Sequence, residues 1–110
     1  MGYHSEIVCV MQNNAFQEFK SCLDILECNI LDEASLETDG DNDDCEVTIT
    51  YEQIKWYDTY EDVDIFNKTL QTLNDLSYGF LRLGEDVGDV EMLGDTYRYG
   101  LYVDQRISRM

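Results

Sequence analysis

Residues 7–11 form a run of five consecutive apolar residues, three of which are β-branched. A strand with one face in water alternates apolar and polar residues, whereas a strand that is apolar throughout is covered on both faces. The run therefore predicts a strand at the centre of its sheet. This feature constrains the fold most, because a central strand needs a neighbour on each of its edges.

Two other segments show the three-and-four spacing of a helix with one buried face. Asn14 is the predicted cap of the first helix, and Asp62 is the predicted cap of the second, which ends near Ser77. The buried positions are Ala15, Phe19, Cys22, Leu23, Leu26 and Ile30 in the first helix, and Val63, Phe66, Leu70 and Leu73 in the second.

The remaining segments are predicted strands and loops. Residues 35–38 and 46–52 are the arms of a β-hairpin, because Val47, Ile49 and Tyr51 alternate with polar residues around an acidic turn. Residues 78–83 are predicted to form the next strand, residues 84–96 a glycine-containing loop, and residues 97–104 a last strand.

The predicted order is βαββαββ. We expect an α+β fold in which two helices cover one face of an antiparallel sheet. Its first six elements follow the ferredoxin-like split βαβ arrangement, βαββαβ, and the C-terminal strand is an addition. The 110 residues, 44% of them hydrophobic, suffice for one core, so residues 1–110 are expected to be a single domain.

The net charge of −17 restricts the class of partner. Such a field repels nucleic acid phosphates and anionic membranes and attracts basic proteins. We therefore expect neither direct nucleic acid binding nor membrane binding. High negative charge also serves solubility alone, and that alternative stays open.

The N-terminal segment lacks the features of a signal peptide, so the expected location is the cytoplasm. Four cysteines, Cys9, Cys22, Cys28 and Cys45, contain no Cys-x-x-Cys pair and are expected to be free thiols.

Four carboxylates fall within eight residues directly after the strand predicted at 78–83. They are Glu85, Asp86, Asp89 and Glu91. Loops at strand ends frequently carry function, and we expect no structural role for these four carboxylates. They are the first part of the predicted partner-binding site, with a solvated loop as the alternative.

Trp56, Tyr57 and Tyr60 precede the second helix among further carboxylates. Aromatic residues in such a place either pack under the helix as core or form an exposed anchor for a partner. They complete the predicted partner-binding site, and burial distinguishes the two alternatives.

Catalysis is not supported by the residue inventory. His4 is the one histidine, and no activated nucleophile can be assembled around it. The acidic segment 39–44 fails the calcium-loop pattern at its sixth and twelfth positions. We expect no catalytic residue, no metal site and no cofactor, with metal-assisted chemistry at Glu85, Asp86, Asp89 and Glu91 as a rival hypothesis.

The chain resembles a group of small acidic proteins of phages and prophages. The likeness rests on Met1-Gly2-Tyr3-His4-Ser5, Ile54-Lys55-Trp56-Tyr57, Tyr60-Glu61-Asp62-Val63 and Phe80-Leu81-Arg82-Leu83-Gly84-Glu85-Asp86. Members of the group typically have Arg at the position of His4 and usually have Ile at the position of Leu83. The resemblance implies an accessory protein that disables host machinery such as restriction or CRISPR systems.

The resulting hypothesis is an acidic phage-type inhibitor that binds a basic surface of a host protein, with carboxylates in place of nucleic acid phosphates. The alternative is a small-molecule or nucleotide-binding protein that uses the aromatic cluster, with Arg82, Arg98, Arg106 and Arg109 as its only candidate phosphate contacts. The sequence leaves open whether the chain forms a homodimer.

Overall fold

The computed structural model describes residues 3–39, 45–57, 59–86, 88–104 and 106–109. The chain has an α+β fold, as predicted from the sequence. Its elements in chain order are β1 (Ser5–Gln12), α1 (Asn13–Ile25), β2 (Ser35–Asp39), β3 (Glu46–Ile54), α2 (Glu61–Leu70), β4 (Tyr78–Gly84), β5 (Val90–Gly94), β6 (Leu101–Asp104) and β7 (Arg106–Arg109), with short 3-10 helices at Ile30–Glu33 and Asp75–Ser77.

Five strands form one antiparallel sheet in the order β2-β3-β1-β4-β5. The predicted central strand is confirmed as β1, in which Cys9 lies opposite Ile49 of β3 and Phe80 of β4. The predicted hairpin of β2 and β3 is also confirmed.

Both helices pack on one face of this sheet. Ile7, Cys9 and Met11 of β1 point to that face, since alternate residues of a strand share a side. Phe66 of α2 is fully buried there, and its ring meets the rings of Phe19 and Trp56 edge-on at 5.0 Å. Edge-to-face contacts of this kind each stabilise the core by about 0.5–1.5 kcal/mol beyond area burial.

The opposite face of the sheet is covered by the C-terminal segment. Val10 and Leu81 are buried against Tyr99 and Leu101, and Ile107 of β7 packs at the margin of this second cluster. Strands β6 and β7 pair with each other and form a separate two-stranded sheet. The uninterrupted apolar run of β1 is thus explained by helices on one side and a hairpin on the other.

Two predictions for the C-terminal third were wrong. The expected loop at 84–96 contains strand β5, which pairs with β4. The expected strand at 97–104 begins only at Leu101, because Gly100 adopts a positive φ of 68° and turns the chain. Tyr97, the first residue of the expected strand, is 87% exposed and lies outside β6.

The predicted helix caps were also wrong. The first helix begins at Asn13, and the Asn14 side chain instead accepts a hydrogen bond from the adjacent Ala15 N–H at 2.8 Å. The second begins at Glu61, so Asp62 lies in its first turn, and it ends at Leu70. The first helix stops at Ile25 and leaves Leu26 exposed.

The four cysteines are free, and burial raises the pKa of the Cys9 thiol. The acidic segment 39–44 does not follow the calcium-loop pattern. Of its six residues, only Asp39 is among those that the structure describes. Within the described ranges, no helix is long and apolar enough to cross a membrane.

Glu27, two residues after the end of the first helix, has a conformation that suits glycine, with a φ of 55°. The Cys28 N–H bonds to the Leu23 carbonyl at 2.9 Å, which is the closing bond of a Schellman motif. We expect Glu27→Gly to raise the free energy of unfolding by about 0.5–1 kcal/mol, because the left-handed conformation strains a residue with a Cβ atom.

Urea denaturation measures this gain. Glu27→Gln is the matched control, since it removes the same charge but keeps the Cβ atom. If Glu27→Gly were no more stable than Glu27→Gln, backbone strain at this position would not limit stability.

Candidate functional site

The candidate site lies at the end of the sheet where β1 begins and where β3 and β4 end. Ser5 is opposite Ile54 of β3 and Gly84 of β4, so the segments that flank these three residues meet. They are Tyr3 and His4, the aromatic segment before α2, and the acidic turn between β4 and β5. We call this region the acidic end.

Tyr3 connects the segments of the acidic end. Its backbone N–H donates to the Tyr57 hydroxyl at 2.6 Å. Its own hydroxyl donates to Asp89 Oδ2 at 2.6 Å and accepts from the Asp86 N–H at 2.8 Å. Tyr3 thereby joins the aromatic segment to the acidic turn.

Arg82 of β4 lies beneath the turn, with a side chain only 16% exposed. Its Nη2 donates to Asp89 Oδ1 at 2.8 Å and its Nη1 to the Ser5 hydroxyl at 3.1 Å. Its Nε lies 3.5 Å from Oε1 of Glu91, the residue opposite it on β5. The guanidinium is therefore held by two carboxylates and a hydroxyl.

These contacts favour the ionised form of Asp89. The hydrogen bonds from Arg82 and from Tyr3 hold the pKa of the Asp89 carboxyl below its ordinary value. The hydrogen bond to Asp89 raises the pKa of Arg82 in turn. The interaction between Arg82 and Asp89 is thus an ion pair at neutral pH.

The turn itself is closed by backbone hydrogen bonds. The Gly84 N–H donates to the Asp89 carbonyl at 2.8 Å, and the Asp89 N–H donates to the Asp86 carbonyl at 3.1 Å. Gly84 is needed for its small size, because a Cβ atom there would collide with the Asp89 carboxylate and the Tyr3 hydroxyl.

Of the seven residues predicted to bind a partner, four share one cleft at the acidic end, and Tyr60, Glu85 and Asp86 lie outside that cleft. Trp56, Tyr57, Asp89 and Glu91 line one shallow cleft of about 370 Å³ with Tyr3, Thr59 and Arg82. The Tyr60 ring lies 5.1 Å from the Tyr57 ring. Glu85 and Asp86 are exposed on the turn, and Glu85 Oε1 is 3.4 Å from Nδ1 of His4.

The aromatic members differ in accessibility. Trp56 is only 6% exposed and packs against Phe66, which corresponds to the core alternative for this residue. Tyr57 is half-buried, and Tyr60 is exposed. Trp56 Nε1 is buried and lacks a hydrogen-bond partner within the part of the chain that the structure describes.

The expectation that the carboxylates of the acidic turn lack a structural role was wrong for Asp89 and Glu91, which face Arg82. Tyr3 was not among the predicted site residues, although it joins the segments of the acidic end. Arg82 was considered as a phosphate contact, but its donors are occupied by Ser5, Asp89 and Glu91. A usable signal was the charge of Arg82, the only basic residue in an otherwise apolar strand segment.

The rival hypothesis of metal-assisted chemistry required four carboxylates to converge on one point. Asp89 and Glu91 turn instead to a cation of the protein itself. Among the residues described, no group of three or more His, Cys, Asp or Glu side chains is arranged to hold a metal ion.

Comparison of the chain with protein-family models, with curated proteins and with solved structures finds no match in any of the three. The function of the acidic end therefore has to be argued from its geometry and charge.

The pairing of Arg82 with Asp89 predicts a structural cost for removing one charge. We expect Asp89→Asn to lower the free energy of unfolding by about 1–2 kcal/mol, because charged hydrogen bonds are strong but this carboxylate is partly exposed to screening. Asp86→Asn is the control, since it removes the same charge from an exposed side chain. Urea denaturation at pH 7 tests both, and equal stabilities of the two variants would contradict the structural role.

The same ion pair predicts a pH dependence. The pKa of Asp89 is lower in the folded state than its ordinary value of 3.8, so its contribution is present above about pH 4 and is lost as the pH falls through the folded pKa. The stability difference between the wild type and Asp89→Asn should be constant from pH 7 to 5 and shrink below pH 4. Urea titrations at pH 7, 5 and 3 measure it, and a difference that grew on acidification would refute the assignment.

Proposed function

We propose that this protein binds a basic surface of a host protein and blocks it, with the exposed carboxylates of the acidic end in place of nucleic acid phosphates. The observation that carries the proposal is that Glu85 and Asp86, both exposed, stand on a turn fixed by Tyr3 and by the ion pair of Asp89 with Arg82. A preformed charged surface loses little conformational entropy on binding, which favours affinity.

The overall charge supports the same proposal. A net charge of −17 disfavours DNA, RNA and anionic lipid as direct ligands. It accelerates encounter with a basic partner, and salt weakens this steering over a Debye length of about 8 Å at physiological ionic strength. The resemblance to phage proteins adds a context, namely a host defence factor that itself binds nucleic acid.

The fold assignment can be extended in the same way. We propose that β1–β4 and the two helices form a ferredoxin-like split βαβ core. The proposal is supported by the order β2-β3-β1-β4 of antiparallel strands with both helices on one face. Strand β5 and the β6–β7 hairpin are then additions to that core.

The test is capture of partners from a bacterial lysate on the immobilised protein at low and at high salt, followed by titration of the captured protein. We expect the double variant Glu85→Gln, Asp86→Asn to bind the captured protein at least tenfold more weakly, a loss of about 1.4 kcal/mol, with unchanged thermal stability. The structural reason is that both side chains are exposed on a turn held by other residues.

The matched control is Glu18→Gln, Asp32→Asn, which removes two exposed carboxylates outside the acidic end and should change affinity less than twofold. Duplex DNA should displace the protein from its partner if the carboxylates stand in for phosphates. Capture that does not depend on the salt concentration would count against the proposal. So would an equal loss of affinity in the two double variants.

A further inference from the structure

Strand β2 is one edge of the five-stranded sheet, and among the residues that the structure describes only those of β3 pair with it. All five of its residues, Ser35–Asp39, are exposed. Neither the helices nor any other described part of the chain covers this strand. Open edges of this kind can accept an additional strand through main-chain hydrogen bonds.

The hydrogen-bond alternation identifies which backbone groups face outward. In an antiparallel ladder, successive residues bond alternately to one neighbour and to the other. The Asn13 N–H donates to the Cys45 carbonyl, so the odd-numbered residues of β3 bond to β1 and the even-numbered ones bond to β2. The bond from the Gly84 N–H to the Asp89 carbonyl gives the same alternation through β4 and β1.

The register then assigns the groups of β2. Ser35, Glu37 and Asp39 lie opposite even-numbered residues of β3 and bond to them. Leu36 and Thr38 consequently direct their backbone N–H and C=O groups to the open edge. An added strand would bond to these two residues.

The side chains of β2 give the edge a chemical character. Glu37 and Asp39 lie opposite Thr48 and Glu46, on the face of the sheet away from the helices. Leu36 lies opposite Ile49, on the helix face, yet is 46% exposed. A strand docked here would meet two carboxylates on one face and an apolar side chain on the other.

A second copy of this chain is a poor occupant of the edge. Antiparallel pairing through Leu36 and Thr38 would set Glu37 opposite its own equivalent, and like charges directly opposite each other destabilise a sheet. Two molecules of net charge −17 also repel each other.

The other edge of the sheet is less suited to an added strand. The Val90 N–H already bonds to the Gly88 carbonyl, and Gly94, with a φ of 69°, turns the chain away at the end of β5. The geometry therefore favours β2.

We propose that β2 is a docking edge for an extended basic segment of a partner protein, which adds to the sheet as a sixth strand through the backbone of Leu36 and Thr38. Its Lys or Arg residues would face Glu37 and Asp39, and an apolar residue would face Leu36. This inference rests on the proposed function in that the partner is basic, but it concerns a different surface from the acidic end.

The probe is a labelled ten-residue peptide that alternates Lys with Val, with binding followed by fluorescence anisotropy. Thr38→Pro should weaken binding at least tenfold, because it removes an outward N–H that β3 does not use. Thr38→Val keeps that N–H and should bind as the wild type does. Glu37→Gln, Asp39→Asn should weaken binding and flatten its salt dependence.

A second measurement stays valid if Thr38→Pro fails to fold. The same peptide with N-methyl groups on its Val residues lacks the N–H groups that this register directs to Leu36 and Thr38, so it should bind the wild-type protein at least tenfold more weakly. Equal binding of the two peptides to the wild type would overturn the inference, as would equal binding of the unmodified peptide to Thr38→Pro and Thr38→Val. A dimer seen by sedimentation for the wild type but not for Thr38→Pro would also overturn it.

The two proposals can fail separately. If the captured partner binds Thr38→Pro normally but not the Glu85→Gln, Asp86→Asn variant, the docking edge is wrong and the proposed function stands. If capture depends neither on salt nor on the Glu85→Gln, Asp86→Asn substitutions, the proposed function is wrong, whether or not the peptide binds.

Discussion

Burial of β1 on both faces is the constraint on which the rest of the structure depends. Ile7, Cys9 and Met11 need the helices, while Val10 needs the C-terminal segment. Burying each large apolar side chain stabilises the folded state by about 1.5–3 kcal/mol. Loss of either layer would expose several of these side chains to water at once. The helices, the sheet and the β6–β7 hairpin are therefore expected to fold as one cooperative unit.

The sequence was most informative where one periodicity dominated. The apolar run of β1 and the alternation of Val47, Ile49 and Tyr51 predicted the centre of the sheet and its hairpin. Strand β5 was missed because its pairing with β4 depends on a distant backbone, while its flanking Gly88 and Gly94 have the composition of a loop. The last predicted strand was placed four residues too early because Gly100 turns the chain just before β6, and β7 (Arg106–Arg109) was not predicted.

The sequence predicted the candidate site as two separate clusters, one acidic and one aromatic. It did not predict that Tyr3 and Arg82 hold the site together. The contact of Tyr3 with Tyr57 and Asp89 spans most of the chain, so no local pattern reveals it. The role of Arg82 depends on strand register, which places Glu91 directly opposite it. Composition identified the carboxylates, but only the fold separates Asp89, which stabilises the turn, from Glu85 and Asp86, which are presented by it.

Charge balance limits how many carboxylates can form ion pairs within the chain. The chain has 24 acidic and seven basic residues, so most carboxylates cannot be neutralised within it. Arg82, Lys68 and Lys20 are already paired with Asp89, Asp64 and Asp24. Most of the carboxylates that the structure describes lie at exposed positions, and their mutual repulsion lowers the stability of the compact state. A basic partner of the kind proposed would relieve that repulsion on binding, so the same charge that opposes folding would favour association with it.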